Sequence, residues 1–452
     1  SHLGWSLRGN AERGSRLTRS VTSSSAVLAP PAPSTDRPSR SEPWQRLGPA
    51  QIALLGVATA VGPLTIDLYL PALPQIASDF AASAPAVQLS LTAAVIGVAL
   101  GQLVAGPIAD RLGRRPVILA AMVMFVVLSA VCAVAPTLPL FIGARFGQGL
   151  LAGAVMVVTR AVLRDYVSGA ALSRAFAGLM LVVGAGPILA PALGSLLLAV
   201  TGWRGVFAAL AAMAVMTAVA LVVWLPESLP RRDRVAVSLT SLRRTYAAVL
   251  ADRAFVLPTL VSATAFAAMF AYISSGSFVL QQGYGLSQFW FGVVFGTTAT
   301  CVILGTQLSP RLMERFGDVT VLRAAPIGGL GAAVALAVVS WAGWATLPVL
   351  IGLVMVMFLG IGVAIPAGTS LALTSQPPQR AGLASGLLGV TQFVVGGIAA
   401  PIVGLFDARS ATVMALVMAA SLATSAAIAR LARLPATSSR AGNGDGAEVR
   451  TA

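Results

Sequence analysis

Thr65 to Pro74 reads TIDLYLPALP and places one carboxylate, Asp67, in an apolar run that extends from Gln51 to Leu73. Such a run is long enough to cross a bilayer, which takes about 20 apolar residues. A charged side chain at the centre of a membrane helix costs roughly 2.5 to 3.5 kcal/mol, so an acid there marks a functional site unless it reaches water at a helix end. The face it occupies argues for function. Counting back by threes and fours from Asp67 gives Pro63, Thr59 or Ala60, and Gly56, and counting forward gives Pro71, with Leu54, Leu55, Val61 and Leu68 on the flanks. A small, partly polar stripe between leucines belongs to a helix turned towards a cavity or a neighbouring helix rather than towards lipid.

The composition of the remaining chain supports a membrane setting. Its 452 residues are 57% hydrophobic and only 10% charged, against about 25% charged in soluble domains. All 30 basic residues are Arg, Lys is absent, and the single His is His2. Without Lys there is no Walker A lysine and no Schiff base. Cys132 and Cys301 fall in different predicted helices and leave no zinc site or disulfide framework, so no metal and no cofactor is expected; both read as packing residues.

A net charge of +15 raises the possibility of nucleic acid, and its distribution decides against that. Of the 30 Arg, 27 lie before Gln51, at Arg111 to Arg115, Arg160 to Arg174, Arg231 to Arg253, Arg311 to Arg323, at Arg380, or from Arg430 onward. Arg145 lies within a span, and Arg204 and Arg409 fall in the intervening loops. The positive-inside rule then places both termini and the central loop in the cytoplasm.

Residues 1–48, rich in Ser, Pro and Arg, read as a disordered cytoplasmic tail. They do not read as a signal peptide, because Pro30 and Pro31 break the apolar stretch at Ala26 to Ala32. From Gln51 onward the pattern predicts twelve spans of roughly 20 residues, at about 51–73, 87–109, 116–135, 138–159, 175–199, 205–225, 255–280, 288–309, 321–341, 346–368, 381–404 and 410–431. The expected organisation is a six-helix bundle over 49–226, a cytoplasmic central loop over 227–254, a second six-helix bundle over 255–432 and a disordered cytoplasmic tail over 433–452. The halves repeat each other. GQLVAGPIADRLG (Gly101 to Gly113) aligns with GTQLSPRLMERFG (Gly305 to Gly317) at an offset of 204 residues, and APALG (Ala190 to Gly194) echoes APIVG (Ala400 to Gly404). A parallel repeat of six-helix halves is the sequence mark of a transporter that rocks two bundles about a central site.

GPIADRLGRRP (Gly106 to Pro116) joins spans two and three on the Arg-rich side. There Gly106 lets helices approach, Gly113 permits a tight turn, and Asp110 can accept from a helix N-terminus or pair with Arg111, Arg114 or Arg115. This stretch resembles the signature loop between helices two and three of the major facilitator superfamily. The resemblance implies a cytoplasmic gate built from Gly106, Asp110, Arg111, Gly113 and Arg114, with Asp110 bonding across the domain interface in the outward-open state.

In span four, LFIGARFGQGLLAGA (Leu140 to Ala154) puts Arg145, Gln148, Gly149 and Ala152 on one helical face, and is similar to the family's helix-four motif, whose buried Arg is linked to proton coupling. At about 1.5 Å of rise per residue, Asp67 lies roughly 24 Å up from the inside and Arg145 roughly 10 Å down from the outside. In a core of about 30 Å those depths agree within helix-end error, so the two side chains can meet. GAGPILAPALG in span five, with Gly184, Gly186, Pro187, Pro191 and Gly194, resembles the glycine-proline signature of drug antiporters, with Ala190-Pro191 in place of its second glycine cluster. Together with TIDLYLPALP, RAVLRDY (Arg160 to Tyr166), AYISSGSFV (Ala271 to Val279) and AGLASGLLG (Ala381 to Gly389), it is similar to the Bcr/CflA group of bacterial drug exporters over about residues 50–430. The chain departs from that group at Gly276, where proline is usual.

These readings converge on an all-α membrane protein of the major facilitator fold, in the bacterial plasma membrane and acting as a monomer. The expected function is proton-coupled export of lipophilic small molecules, with bicyclomycin, sulfonamides or phenicols as the substrates the resemblance implies. Asp67 is the expected proton-titrating group. Burial raises a carboxyl pKa from about 3.9 and a nearby guanidinium lowers it, so movement relative to Arg145 would load and release a proton. Tyr69, Gln88, Phe266, Tyr272 and Gln392 are the cavity candidates, each serving packing equally well. An importer of the same fold is the first alternative. An intramembrane enzyme is a remote one, since the spans hold no His, no Lys and one Asp.

Overall fold

A computed structural model describes residues 48–166, 169–234, 239–377 and 380–431; both tails predicted from the sequence lie outside them. Among the described residues every long element is a helix. In the first half these are α1 (Pro49–Asp67), a short α2 (Leu73–Asp79), α3 (Ala84–Leu112), α4 (Arg114–Val134), α5 (Leu138–Tyr166) and α6 (Gly169–Trp224). In the second half they are α7 (Leu239–Ala251), α8 (Arg253–Ser277), α9 (Gln288–Phe316), α10 (Asp318–Trp341), α11 (Leu347–Thr374), α12 (Ala381–Asp407) and α13 (Ala411–Leu431). Among the described residues eleven stretches are long and apolar enough to cross a membrane.

The sixth helix accounts for two crossings. Its 56 residues correspond to about 84 Å, nearly three times the hydrocarbon thickness. Gly202, at φ 70° and ψ 178°, breaks it between the two spans predicted there. Trp203 and Arg204 pin the break: the Trp203 indole donates to Asp79 Oδ2 at 2.7 Å, and Arg204 pairs with the same carboxylate at 3.2 Å. With that break the chain makes twelve spans, and it is a multi-pass membrane protein.

Helix neighbours repeat between the halves. α3 packs on α5 as α9 packs on α11, α4 on α5 as α10 on α11, and α4 on the end of α6 as α10 on α13. The halves meet through α3 against α12 and through α6 against α9, a swapped pair of the kind a pseudo-two-fold axis generates. Glycine makes the closest pairing possible. Gly97 and Gly101 lie against the α5 backbone at Phe146 and Leu150, while Gly149 and Gly153 lie against the α3 carbonyls of Ala94 and Val98. These four residues, spaced by four on each helix, form a reciprocal small-residue seam. Gly305 on Leu359 and Gly362 on Val302 reproduce it between α9 and α11.

Two sequence expectations change. The signature stretch from Gly106 to Pro116 is helical except for one residue: α3 runs to Leu112, α4 starts at Arg114, and Gly113 alone turns the chain at φ 104°. Its counterpart Gly317, 204 residues on, turns α9 into α10 at φ 83°. The central segment also contains a helix, α7, because Leu242, Tyr246 and Val249 recur at helical spacing. Val249 is buried in a cluster with Phe255, Ala372, Ala384 and Leu388, which docks α7 on the second half.

Candidate functional site

Helix α1 ends at Asp67, short of the predicted Leu73. Pro71 and Pro74 supply no N–H to continue it, so the chain tightens into a 3-10 turn at Leu70–Ala72 before α2 begins. That break leaves the last carbonyls of α1 without helical partners. Arg145 occupies this end. Its Nη2 donates to the Thr65 carbonyl at 2.7 Å and its Nη1 to Gln148 Oε1 at 2.8 Å. The guanidinium carbon lies 4.2 Å from the centre of the Tyr69 ring and 5.5 Å from that of Phe207. A helix C-terminus favours a cation, and the two rings supply their negative faces, which together offset the cost of a fully buried charge. Gln148 is held in turn: its Nε2 donates to Ser129 Oγ at 2.8 Å, and the Cys132 thiol approaches its Oε1 at 3.5 Å.

Asp67, 5% exposed, lines a cavity of about 320 Å³ between the halves. Gly62, Pro63, Ile66, Val98 and Met156 complete the wall from the first half; Phe266, Met269, Phe270, Phe295, Phe358 and Phe393 supply most of it from the second. Asp67 is its one charged residue. Among the described residues the carboxylate makes no hydrogen bond and no ion pair. The two side chains do not pair among the described residues: the Arg145 guanidinium grips the α1 backbone at Thr65, two residues from Asp67, while the carboxylate lines the cavity.

The span-five motif braces this turn. A Cβ on Gly186 would stand 2.9 Å from Pro63, and one on Gly194 would overlap the Leu68 carbonyl, so both glycines allow α6 to close on α1 either side of Asp67. The Pro191 carbonyl accepts from Ser195 Oγ at 2.8 Å, and the same hydroxyl reaches the Gln288 carbonyl of α9 at 2.7 Å. Gly184 and Pro187 lie within α6.

Of the five cavity candidates, the structure places Phe266 on the wall. Tyr69 sits behind Asp67, under Arg145, with its hydroxyl 3.2 Å from Ser90 Oγ. Tyr272 is buried against Phe295 and Phe358. Gln392 donates to Ser262 of α8 at 3.2 Å. Gln88 donates across the halves to the Ser274 carbonyl at 3.1 Å. That bond belongs to a set: Thr92 to the Gly397 carbonyl at 2.9 Å, Gln281 to the Pro71 carbonyl at 3.1 Å, and Ser195 to Gln288. All lie in the half of the bundle remote from Gly113 and Gly317. At the other end of α12, no atom stands within 4 Å of where a Cβ on Gly382 or Gly386 would be.

On the Arg-rich side Asp110 pairs with Arg114 at 2.6 Å, within its own half. Arg114 also reaches Asp165 at 3.4 Å, and Ser228 donates to that carboxylate at 2.7 Å. The helix N-terminus that the sequence offered to Asp110 is capped instead by Glu227, which accepts from Arg114 N at 2.9 Å and Arg115 N at 3.5 Å and pairs with Arg234 at 3.5 Å. Arg111 is exposed, and Gly106 lies 3.8 Å from Val157 by its missing Cβ. Sequence reasoning passed over Glu227, since only the fold brings residue 227 back to residue 114. It also passed over Met269 and Phe270, although with Phe266 and Ile273 they recur at helical spacing along one face of α8.

Residues 55–401 match the family model described as Major Facilitator Superfamily. The chain is 34% identical to an uncharacterized MFS-type transporter, YdgK, of Bacillus subtilis, over 86% of this chain and 96% of that one. It is 28% identical to a bicyclomycin resistance protein homolog of Haemophilus influenzae, over 83% and 94% of the two chains. With a chloramphenicol resistance protein of Pseudomonas aeruginosa it shares 32% identity over 72% and 76%. Among solved structures, a bacterial homolog of the human lysosomal transporter Spinster, inward-facing and occupied, superposes with a TM-score of 0.66 at 14% identity, covering 86% and 97%. A D-xylose-proton symporter superposes with 0.65 at 17%, also covering 86% and 97%.

Proposed function

The chain belongs to the Major Facilitator Superfamily, and we propose that this member exports lipophilic, drug-like molecules across the bacterial plasma membrane in exchange for protons. The observation that carries this reading is a lone carboxylate on the wall of an otherwise apolar cavity between two repeated halves. The volume, about 320 Å³, falls within the range of drug-sized sites, and its aromatic lining suits an apolar occupant. A carboxylate in a permanent ion pair is fixed in its charged form. Among the described residues Asp67 has no such partner, so its charge state is free to follow the contents and hydration of the cavity, while the Arg145 guanidinium behind it supplies a constant field.

Hydrogen bonds from Gln88, Thr92, Ser195 and Gln281 tie the halves at the end remote from Gly113 and Gly317, an arrangement that suits one of the two states that alternating access requires. We place both termini and the central segment with α7 in the cytoplasm from the Arg distribution, so that the tied end faces outward. Asp110 and Arg114 then form a latch that engages the second half when the inner side closes. Relatives named for resistance to bicyclomycin and chloramphenicol favour export over import. One chain suffices, since both cavity walls come from it. The test is a drug-susceptibility panel in an efflux-deficient host, followed by uptake of the protected drug into inside-out vesicles. Accumulation should collapse on adding a protonophore; accumulation indifferent to the protonophore, or loss of drug from the vesicles, would refute proton-driven export.

A further inference from the structure

On the Arg-rich side of the cavity two buried hydrogen-bond donors, Arg160 Nε and Gln102 Nε2, have no acceptor among the described residues. On α5, Met156 lines the cavity, and Arg160 follows one turn towards the Arg-rich side on the same face. On α3, Val98 lines the cavity, and Gln102 follows one turn on in the same direction. The glycine seam holds these helices side by side. Arg160 makes no hydrogen bond or ion pair among the described residues, and its Nε is buried without a partner, as is Gln102 Nε2. The nearby acids are already engaged: Asp110 and Asp165 both bind Arg114. The next charge along α5 is another cation, Arg164. Arg160 is half-buried, with its Nε inside and without an acceptor, and an anion in reach of the guanidinium would satisfy it.

We propose that Arg160 binds an acidic group on the transported molecule, a carboxylate or similar oxyanion whose apolar body extends into the cavity past Gln102 towards Asp67. The guanidinium fork matches a carboxylate with two parallel bonds. The spacing leaves room for such a body. Met156 packs on Gly62; Asp67 is five residues from that contact along α1 and Arg160 four along α5 in the opposite sense, which separates the two charges by roughly 13 Å along the bundle. At that distance the acid group is held clear of the Asp67 carboxylate. The inference rests on the reading of the cavity as the transport site.

The test is fluorescence titration of the full chain in phosphatidylcholine nanodiscs with dansylaminoundecanoic acid and with its primary amide. The wild type should bind the acid about tenfold more tightly than the amide, a difference of the size expected for one charge-assisted contact. Arg160→Gln should erase the preference and leave the amide's affinity unchanged; Arg160→Lys, which keeps the charge, should retain a few-fold preference. Equal binding of acid and amide by the wild type, full preference in the Gln variant, or none in the Lys variant would each overturn the assignment. Phosphatidylglycerol in the nanodiscs should leave acid binding unchanged. If it weakens acid binding in the wild type and not in Arg160→Gln, the site belongs to a lipid headgroup and the assignment to the transported molecule is wrong. Vesicle export driven by a pH gradient reads the cavity's transport role separately, so either inference can fail alone.

Discussion

Asp67→Asn should abolish gradient-driven export without unfolding the protein. The amide matches the carboxyl in size and removes no hydrogen bond, because among the described residues the carboxylate makes none. Replacing a buried acid by a neutral group also relieves desolvation, so the unfolding temperature should hold or rise. Transport should respond differently. If one proton exchanges for one neutral molecule, each unit of pH gradient supplies about 1.4 kcal/mol, or about a tenfold accumulation. In Asp67→Asn that accumulation should fall to unity at every gradient, while exchange of labelled for unlabelled drug at equal pH continues. The assay is drug movement in proteoliposomes under imposed gradients of zero, one and two pH units. A variant that still concentrates drug in proportion to the gradient would place coupling elsewhere and remove the reason for a lone acid in the cavity.

Arg145→Lys should destabilise the protein by about 2 kcal/mol in thermal unfolding, because a compact ammonium cannot reach both the Thr65 carbonyl and Gln148 Oε1 and leaves one of them buried and unsatisfied; an unchanged unfolding temperature would contradict this. Gly149→Leu should prevent folded protein from accumulating, since its Cβ would overlap the Ala94 backbone, whereas Gly143→Ala, with nothing within 4 Å, should be neutral or slightly stabilising by expression and melting. Asp110→Asn should slow turnover and spare drug affinity, because it removes the pair with Arg114 far from the cavity; export at the wild-type rate, with unchanged cysteine labelling from both faces, would dismiss the latch.

Much of this architecture is legible in the sequence because a bilayer imposes simple rules. Length and apolarity define the spans, and the Gly101 to Gly113 repeat identifies the two-fold relation that Gly113 and Gly317 then obey in their backbone angles. Asp67 is legible for the same reason: an acid is expensive in lipid, so its presence is a signal in itself. Residues whose meaning depends on distant partners are not legible. Glu227 reads as a loop charge until the fold brings it to the N-terminus of α4. Tyr69, two residues from the acid, and Gln88, near the start of the next span, both carry polar groups, but α1 breaks after Asp67 and turns Tyr69 under Arg145, while Gln88 is taken up in tying the halves together. Helical periodicity cannot foresee such a break, because Pro71 changes the angle at which every later side chain leaves the axis.

The anchoring of Arg145 also narrows how coupling works in the proposed cycle. The guanidinium holds the end of α1 and, through Gln148 and Ser129, the wall of α4. All of these belong to the half that carries Asp67. Rocking of one half against the other therefore moves the acid and the arginine together, and a proton switch that depends on parting them would have to break three hydrogen bonds inside a packed bundle. What rocking does change is the opposite wall, where Phe266, Phe270, Phe295 and Phe393 come from the second half. Withdrawing those rings admits water to Asp67 and returning them excludes it, and water is the one partner whose presence alters the relative cost of the two carboxyl forms without moving Arg145. In this scheme the guanidinium sets a constant bias, the phenylalanine wall supplies the switch, and enlarging or removing a wall ring should disturb coupling while leaving the Arg145 network intact.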